Sequence, residues 1–302
     1  MKTNLIGIIY AHLKYIKQKL TNSKRYKLTK AVVDYLKTDD CILPFEEKSA
    51  IKDFLSEKFL IAPINYPFVK KYLHRKVKVY LDTTNGLHYV YHDAHKLYFK
   101  RNLTKNEIIE LYNNLCIEQD KKSPHSYHSF NINYQSEDIA VDAGAAEGIW
   151  GLDIIEKVKA LFLFECEDTW IEALNATFAP WKEKVHIVKK YVSNKSDEEN
   201  IRLDDYFSEE GIFPTILKAD IEGYEIALTE GSSNLLSNHL QHVILCTYHN
   251  ETDYQDLYAI LEQYDFKITD SNGYLIFIFS GSEYYSGDVS RIIRKTLIYG
   301  RK

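Results

Sequence analysis

Apolar runs of strand length alternate with helical patterns along the second half of the chain. The strand-like runs are Ile139 to Asp142, Leu161 to Glu165, His186 to Val192, Thr215 to Asp220 and His242 to Tyr248. The helical patterns lie between them, near residues 148–158, 168–178, 224–236 and 252–263. Because strands that alternate with helices build βαβ units, this half is predicted to be a Rossmann-like α/β domain with a mostly parallel, seven-stranded sheet.

The last part of this pattern consists of two strand-like runs joined by a tight turn. Phe266 to Thr269 and Tyr274 to Phe279 flank the turn Ser271-Asn272-Gly273, and an Asn-Gly pair readily supplies positive φ. The pattern therefore predicts an antiparallel hairpin that closes the sheet. Such a hairpin distinguishes the methyltransferase variant of this architecture from the all-parallel, dinucleotide-binding one.

The first part of the chain combines helical patterns with one hairpin pattern. Helices are predicted over residues 4–20, 28–36 and 45–59. Val77 to Leu81, the turn Thr84-Asn85-Gly86 and Leu87 to Tyr91 predict two antiparallel strands, with a third at Lys96 to Phe99.

A capped helix and a polar stretch separate this region from the α/β half. Thr104, with Glu107 three residues later, has the pattern of a capping box and predicts a helix over residues 104–118. Residues 119–137 are then rich in Lys, Ser, Pro and Asn, which is typical of a loop. A boundary is therefore predicted here, between an accessory region of residues 1–135 and a second domain of residues 136–302.

The net charge and the positions of the cysteines and lysines limit which partners and which cellular location are expected. The net charge of −5 supplies no basic field for nucleic acid. The four cysteines lie far apart without a C-x-x-C pair, so neither a disulfide framework nor a zinc knuckle is indicated and a cytoplasmic location is predicted. Lysines interrupt the apolar residues near the N-terminus, so neither a signal peptide nor a membrane span is expected. The 24 tyrosines either line a cleft for sugars or polar ligands or reflect a biased composition.

The first strand of the α/β half runs into a turn of small and acidic residues. The segment reads Val141-Asp142-Ala143-Gly144-Ala145-Ala146-Glu147-Gly148. Small residues let the backbone approach a ligand, and the following helix offers unpaired N–H groups. Two carboxylates would repel a pyrophosphate but suit a sulfonium and an ammonium group. Asp142, Gly144, Ala145, Glu147 and Gly148 are therefore predicted to bind S-adenosylmethionine; the alternative is a turn that only packs a helix onto a strand.

Acidic residues elsewhere extend this candidate cofactor site. Glu165 ends the second strand 23 positions after Asp142, where this architecture binds ribose hydroxyls, and Cys166 lies beside it. Glu167 is an alternative, and both acids could instead belong to the first turn of the next helix. Asp204 is a candidate for an acid near the adenine, or it caps the short helix that follows.

The chemistry is predicted to lie at the ends of the fourth and fifth strands. Lys218 and Asp220 point to the same side of a strand, and Glu222 follows before Gly223. They are candidates to position a substrate hydroxyl, to orient the methionine end of the cofactor, or to hold a divalent metal, which nothing else in the sequence indicates. His249 ends the fifth strand and is the candidate base, since imidazole titrates near neutrality. A structural histidine is the alternative.

A polar loop precedes the first strand of the α/β half and carries His125 and Tyr127. A loop at this position can reach over the cleft as a lid. A solvated linker is the alternative for such a composition.

These motifs together resemble the FkbM family of S-adenosylmethionine-dependent methyltransferases. The shared segments are VDAGAAEG (141–148), LFECE (163–167), LDDYF (203–207), LKADIEGYE (217–225) and YHN (248–250). The resemblance implies a class I methyltransferase fold and O-methylation of a hydroxyl on a sugar or secondary metabolite. It places Asp142, Gly144 and Glu147 in the cofactor loop, Glu165 on the ribose, and Lys218, Asp220 and Glu222 in the motif of the fourth strand. The chain departs from the family pattern at Ala146 and Glu147, where asparagine is frequent, and at Cys166, where proline is frequent.

Two other functional classes remain open from the sequence. One is a nicotinamide-dependent oxidoreductase on a related sheet, and the other is a non-catalytic binding or assembly protein. The residues before 136 lie outside the family motifs and are candidates for acceptor choice or for a contact in a homo-oligomer.

Overall fold

The computed structural model describes residues 25–57, 62–73, 75–277 and 288–302. The helix predicted over residues 4–20 lies outside the described residues. The chain forms two compact units. One contains the described residues up to Val69 together with Tyr274–Arg294, and the other contains Lys70–Gly273 together with Lys295–Lys302. None of the helices within the described ranges has the length and apolar character needed to cross a lipid bilayer.

The elements are numbered in chain order. The helices are α1 (described over residues 25–35), α2 (Phe45–Ser56), α3 (Lys105–Glu118), α4 (Ile149–Ile154), α5 (Asp168–Thr177), α6 (Leu203–Glu210), α7 (Glu225–Glu230), α8 (Ser233–Asn238) and α9 (Asp253–Gln263). The strands are β1 (Tyr80–Leu81), β2 (His88–His92), β3 (His95–Tyr98), β4 (Ile139–Ala143), β5 (Ala160–Phe164), β6 (Val185–Val188), β7 (Tyr191–Val192), β8 (Asn200–Ile201), β9 (Ile216–Ala219), β10 (His242–Cys246), β11 (Lys267–Asp270), β12 (Leu275–Ile276), β13 (Ile293–Arg294) and β14 (Leu297–Arg301).

Seven strands of the second unit form one sheet in the order β11-β14-β10-β9-β4-β5-β6. The five strands from β10 to β6 are parallel to their neighbours. The strand β14 is antiparallel to both β10 and β11. The predicted Rossmann-like, mostly parallel seven-stranded sheet with an antiparallel C-terminal hairpin is therefore confirmed.

Alternate residues of the parallel strands pack into two hydrophobic cores. Ala140 and Leu161 belong to one core, which also contains residues of α3 and α4. Val141 and Phe162 belong to the other, with residues of α6, α8 and α9. Full burial stabilises each large apolar side chain by roughly 1.5–3 kcal/mol, so these strands are apolar along their length. Charged residues at their carboxyl ends therefore need a separate explanation.

The second strand of the C-terminal hairpin lies elsewhere than the sequence pattern indicates. The partner of β11 is β14, whereas β12, within the run from Tyr274 to Phe279, pairs with β13 in the first unit. The chain leaves the second unit after Gly273 and returns to it at Lys295. A local pattern favours the nearest apolar run as the partner strand, so the prediction that Tyr274 to Phe277 pair with β11 was wrong, and residues 278 and 279 lie outside the described residues.

Two predicted elements are interrupted. The strand predicted over His186 to Val192 consists of β6 and then β7, which pairs with β8. The helix predicted over residues 224–236 is divided into α7 and α8 at Gly231. A Cβ atom at Gly231 would lie 2.1 Å from the carbonyl oxygen of Ser193, so this close approach requires glycine.

The residues before β4 follow the predicted patterns closely. The strands β1, β2 and β3 form an antiparallel sheet, and α3 begins at Thr104 with the predicted capping box from Glu107. In the first unit, the hydroxyl of Tyr66 donates to Glu47 at 2.6 Å. The domain boundary predicted between residues 135 and 136 falls within the second unit, and the division into an accessory region and a second domain stays a prediction.

Candidate functional site

A cavity of about 560 Å³ opens at the carboxyl ends of β4, β5 and β9. Its wall includes Gly144, Glu165, Asp220 and Glu222, and Tyr191 contributes from β7. Ligands of open α/β sheets bind at this edge, where loops leave neighbouring parallel strands. The volume is in the range typical of sites for small molecules and cofactors.

The turn after β4 lies directly against the end of β9. Gly144 has a φ of +74°, and a Cβ atom there would lie only 1.9 Å from the carbonyl oxygen of Asp220. Gly148 has a φ of +79° and precedes the first residue of α4. At Gly144 the backbone therefore lines the cavity without a side chain, as a turn that approaches a ligand requires, whereas Gly148 lets the turn pack against Leu174 and Phe178.

Backbone N–H groups hold the carboxylate of Glu165 in a fixed orientation. One oxygen accepts from the N–H of Ala146 at 2.9 Å, and the other accepts from Cys166 and Glu167 at 2.8 Å each. Such charge-assisted bonds are about twice as strong as neutral ones. Because each carboxylate oxygen has two lone pairs, the oxygen that accepts from Ala146 has one lone pair left for a ligand in the cavity.

A buried ion pair supports the floor of the site. The ammonium of Lys218 lies 2.7 Å from Asp142 and donates to the carbonyl of Gly144 at 3.0 Å. Burial opposes the charge on Lys218, but the carboxylates of Asp142 and Asp220 raise its pKa above the ordinary value. Asp142 and Lys218 are direct partners on adjacent strands and lie behind the cavity wall. Asp142 and Lys218 therefore hold each other in place, and the hydrogen bond from Lys218 to Gly144 also holds the turn after β4.

Two tyrosines and two histidines surround the carboxylate of Asp220. The hydroxyls of Tyr127 and Tyr248 donate to it at 2.8 and 3.2 Å. The Nε2 atoms of His125 and His249 lie 3.5 and 3.4 Å from its two oxygens. Burial opposes ionisation of Asp220, but His125, Lys218 and His249 lower its pKa far below the ordinary value. Asp220 is thus a fixed anion in the cavity wall.

His249 lies behind Asp220 and is held from its other side. Its Nδ1 atom is 3.0 Å from Glu225, and its Nε2 atom faces Asp220 and, at 3.8 Å, Glu222. Burial lowers the pKa of the imidazole, but Glu225 and Asp220 outweigh burial and raise it. The His249 side chain is only 4% exposed, so it reaches the cavity through Asp220.

The remaining residues that the sequence predicts to bind the cofactor lie in three different places. Cys166 lies in the cavity wall, where burial raises the pKa of its thiol. Ala145 and Glu147 are buried within the turn, and burial with the nearby Glu118 raises the pKa of Glu147 to about 8. Asp204 accepts from the N–H groups of Asn234 and Leu235 at the start of α8 and lies outside the wall.

Several site residues were missed or only partly foreseen from the sequence. His125 and Tyr127 were placed in a loop that reaches toward the cleft, and they are buried against Asp220. Lys190 and Tyr191 line the cavity because they follow β6, which lies next to β5. The sequence pattern predicted one strand as far as Val192, so it did not indicate that a strand ends before these residues. Nothing in the sequence pattern singled out Glu225 as a partner of His249.

Three of these side chains offer atoms close enough to be considered as metal ligands. Within the described ranges, Asp220, Glu225 and His249 each provide one such atom within 4.8 Å of the others. However, Glu225 and Asp220 contact opposite nitrogens of one imidazole ring. Ligands of a single ion converge on one point, so this arrangement is an imidazole held between two carboxyl groups rather than a set of ligands around one ion.

Comparison with known proteins gives a family match that extends over more than half of the chain. Residues 102–268 match the methyltransferase FkbM domain. Methyltransferase FkbM from Methylobacillus flagellatus is similar in structure with 18% identity and a TM-score of 0.46, over 58% of this chain and 46% of that one. The chain therefore spans less than half the length of that protein. No curated protein sequence matches.

Two further solved structures have lower similarity. An rRNA methylase from Streptococcus thermophilus has 13% identity and a TM-score of 0.38, over 56% of this chain and 89% of that one. A precorrin-6y C5,15-methyltransferase from Geobacter metallireducens has 10% identity and a TM-score of 0.38, over 68% of this chain and 94% of that one.

Proposed function

Because the chain belongs to the family of FkbM methyltransferases, we propose that its cavity binds S-adenosylmethionine and that the methyl group passes to a hydroxyl of a sugar or other small metabolite. The observation that supports this most is the arrangement of the wall. Glu165, Asp220 and Glu222 place three carboxyl groups around a turn that is free of side chains at Gly144. A cationic nucleoside suits this wall, whereas a pyrophosphate is repelled.

The residues present fit this cofactor by their chemistry. Glu165 has one lone pair left to accept from a ribose hydroxyl, as an acid at the second strand end does in this architecture. Asp220 and Glu222 supply negative charge for the cationic end of the molecule. When bound, the cofactor supplies an activated methyl group on a positively charged sulfur.

Asp220 is the residue that we assign to the acceptor hydroxyl. It lies in the wall, it is charged, and four side chains fix its orientation. A carboxylate in this position accepts the hydroxyl hydrogen bond and aligns the oxygen, so that positioning contributes much of the rate. His249 behind it takes up the proton. Lys218 supports both through the floor of the site.

The experiment that tests this function follows the methyl group itself. The full chain is incubated with methyl-labelled S-adenosylmethionine and an extract of small metabolites and glycans, and the labelled product is identified by mass spectrometry and NMR. We expect one product with the label as an O-methyl ether. A label on nitrogen or carbon contradicts the acceptor class, and binding without any labelled product supports a non-catalytic protein.

A further inference from the structure

Glu225 is a buried carboxyl group beside His249 that lies outside the cavity wall. Its side chain is fully buried, with Oε1 accepting from the N–H of Ile221 at 2.9 Å. Its Oε2 atom makes no hydrogen bond within the part of the chain that the structure describes. A buried carboxylate is costly unless it is paired, and its nearest charged partner is His249.

The two nitrogens of His249 have different surroundings. Nδ1 lies 3.0 Å from Glu225, and Nε2 lies 3.4 Å from Asp220. A neutral imidazole carries one hydrogen, and a hydrogen on Nδ1 faces Glu225 at the shorter of the two distances. The lone pair of Nε2 then faces Asp220, which itself faces the cavity. A carboxylate that orients an imidazole in this way also stabilises the imidazolium that forms when the ring gains a proton.

We propose that Glu225 is a positioning residue for methyl transfer, which holds His249 so that Nε2 receives, through Asp220, the proton of the acceptor hydroxyl. This inference rests on the proposed O-methyl transfer. The carbon–oxygen bond forms while the carbon–sulfur bond breaks, and the electron pair of the broken bond stays on sulfur. As the methyl group is transferred, Asp220 takes the proton of the hydroxyl and, because its pKa lies far below the ordinary value, passes it at once to Nε2 of His249, which releases it to solvent after the product leaves.

The charged and titratable groups that face His249 come from three elements. Glu225 belongs to α7, Asp220 and Glu222 follow β9, and the ring of Tyr248 lies beside the imidazole at 4.2 Å between centroids. His125 and Lys218 lower the pKa of the same Asp220 carboxylate. Because Glu225 raises the pKa of His249, its neutralisation lowers that pKa.

The test compares Glu225→Gln with Glu230→Gln, a matched change in the same helix at a residue that bonds to Asn194 instead. Glutamine still offers an oxygen to the N–H of Ile221, so the turn before α7 is retained. The readouts are the pH profile of kcat, the affinity for S-adenosylmethionine, the melting temperature, and the tautomer and pKa of His249 from the ¹⁵N chemical shifts of its ring.

We expect E225Q to lower kcat by roughly 10- to 100-fold, a part of what acid–base catalysis supplies, with little change in cofactor affinity. In E225Q the acid limb of the pH profile of kcat moves to lower pH. The reason is that His249 must be unprotonated to act as the base, and its pKa is lower in this variant. In the ring spectra, His249 of the wild type carries its hydrogen on Nδ1, and its pKa falls in E225Q but not in E230Q. In a His249→Ala background, E225Q causes no further loss of rate.

An unchanged pKa and tautomer of His249 in E225Q overturn the inference, whatever the rates are. A shifted pKa with an unchanged kcat also overturns it, because the contact then has no part in the reaction. The ring spectra need no acceptor, so they report on Glu225 even if the wild type methylates no hydroxyl. A wild type that methylates no hydroxyl contradicts the proposed function and, with it, the positioning role of Glu225 in methyl transfer.

Discussion

At Gly144 the turn after β4 touches the backbone at the end of β9, and this single contact shapes the cavity. A Cβ atom there would lie 1.9 Å from a carbonyl oxygen, and its φ of +74° disfavours any other residue. Gly211 has a similar φ of +64° but has open space around it. Alanine substitutions at the two glycines therefore distinguish the effect of backbone strain alone from the effect of a disrupted cavity.

We expect Gly144→Ala to abolish detectable binding of S-adenosylmethionine and to lower the melting temperature, because Asp220 has to move. Gly211→Ala carries only the strain of a left-handed residue, roughly 1 kcal/mol, and leaves binding intact. Calorimetric titration and thermal unfolding of both variants measure this difference. Equal cofactor affinity in both contradicts the placement of the ligand at Gly144.

Glu147 gives a prediction about stability and pH. Burial, with the nearby Glu118, raises its pKa from 4.5 to about 8. Between these values the unfolded chain has lost a proton that the folded chain retains, so folding stability falls as the pH rises. Glutamine at position 147 does not titrate, so Glu147→Gln removes this loss of folding stability. The variant should therefore gain stability over the wild type from pH 4.5 to pH 8, measured by urea unfolding.

A matched control is Glu167→Gln, at an exposed carboxyl whose pKa is lowered by its hydrogen bond from Lys100. This variant should show no such gain as the pH rises. A pH-independent difference between E147Q and the wild type contradicts the buried, protonated state of Glu147.

At the residue scale, the sequence predicts those site residues that lie at strand ends. Glu165 and Asp220 were found because the carboxyl ends of parallel strands share one edge of the sheet. The pairing of Asp142 with Lys218 was missed, because it depends on β4 lying next to β9. Glu225 was missed for a similar reason, since the contact with His249 joins a helix to a strand end 24 residues later.

At the scale of elements, Asp204 stabilises a helix other than the one that follows it. Its carboxylate accepts from two N–H groups at the start of α8, at 2.8 and 3.0 Å. We expect Asp204→Ala to lower the free energy of unfolding by about 1 kcal/mol, as for a lost helix cap. Cofactor affinity should not change.

The control for this change is Asp205→Ala, which removes a half-exposed pair with Arg202 that contributes little to stability. Denaturant unfolding compares the two variants. A weaker affinity for S-adenosylmethionine in D204A alone would restore the adenine role predicted from the sequence.

The limits of sequence patterns are also clear at this scale. Helix caps and two-residue turns are local, so the capping box of α3 and the small sheet of β1, β2 and β3 were predicted correctly. The break between α7 and α8 depends on Gly231 touching Ser193. That contact joins distant residues, and no periodicity reveals it.

At the scale of the whole molecule, the strand order decides where the site lies. With β4 between β5 and β9, the acids Glu165 and Asp220 flank the glycine turn at one edge of the sheet. Alternation of strands and helices predicts the class of fold, but it does not predict that residues 274–294 belong to another unit. The antiparallel strand β14 pairs only after that excursion, which is why its position was missed.

The most direct test of this account is the affinity of the full chain for S-adenosylmethionine, measured by calorimetry in wild type, Glu165→Gln and Glu167→Gln. One site is expected in the wild type, with Kd raised roughly 10- to 100-fold in E165Q, as loss of hydrogen bonds to a charged group predicts, and unchanged in E167Q. No heat is expected with NAD⁺. Equal affinities in all three proteins, or binding of NAD⁺ in place of S-adenosylmethionine, would contradict the account.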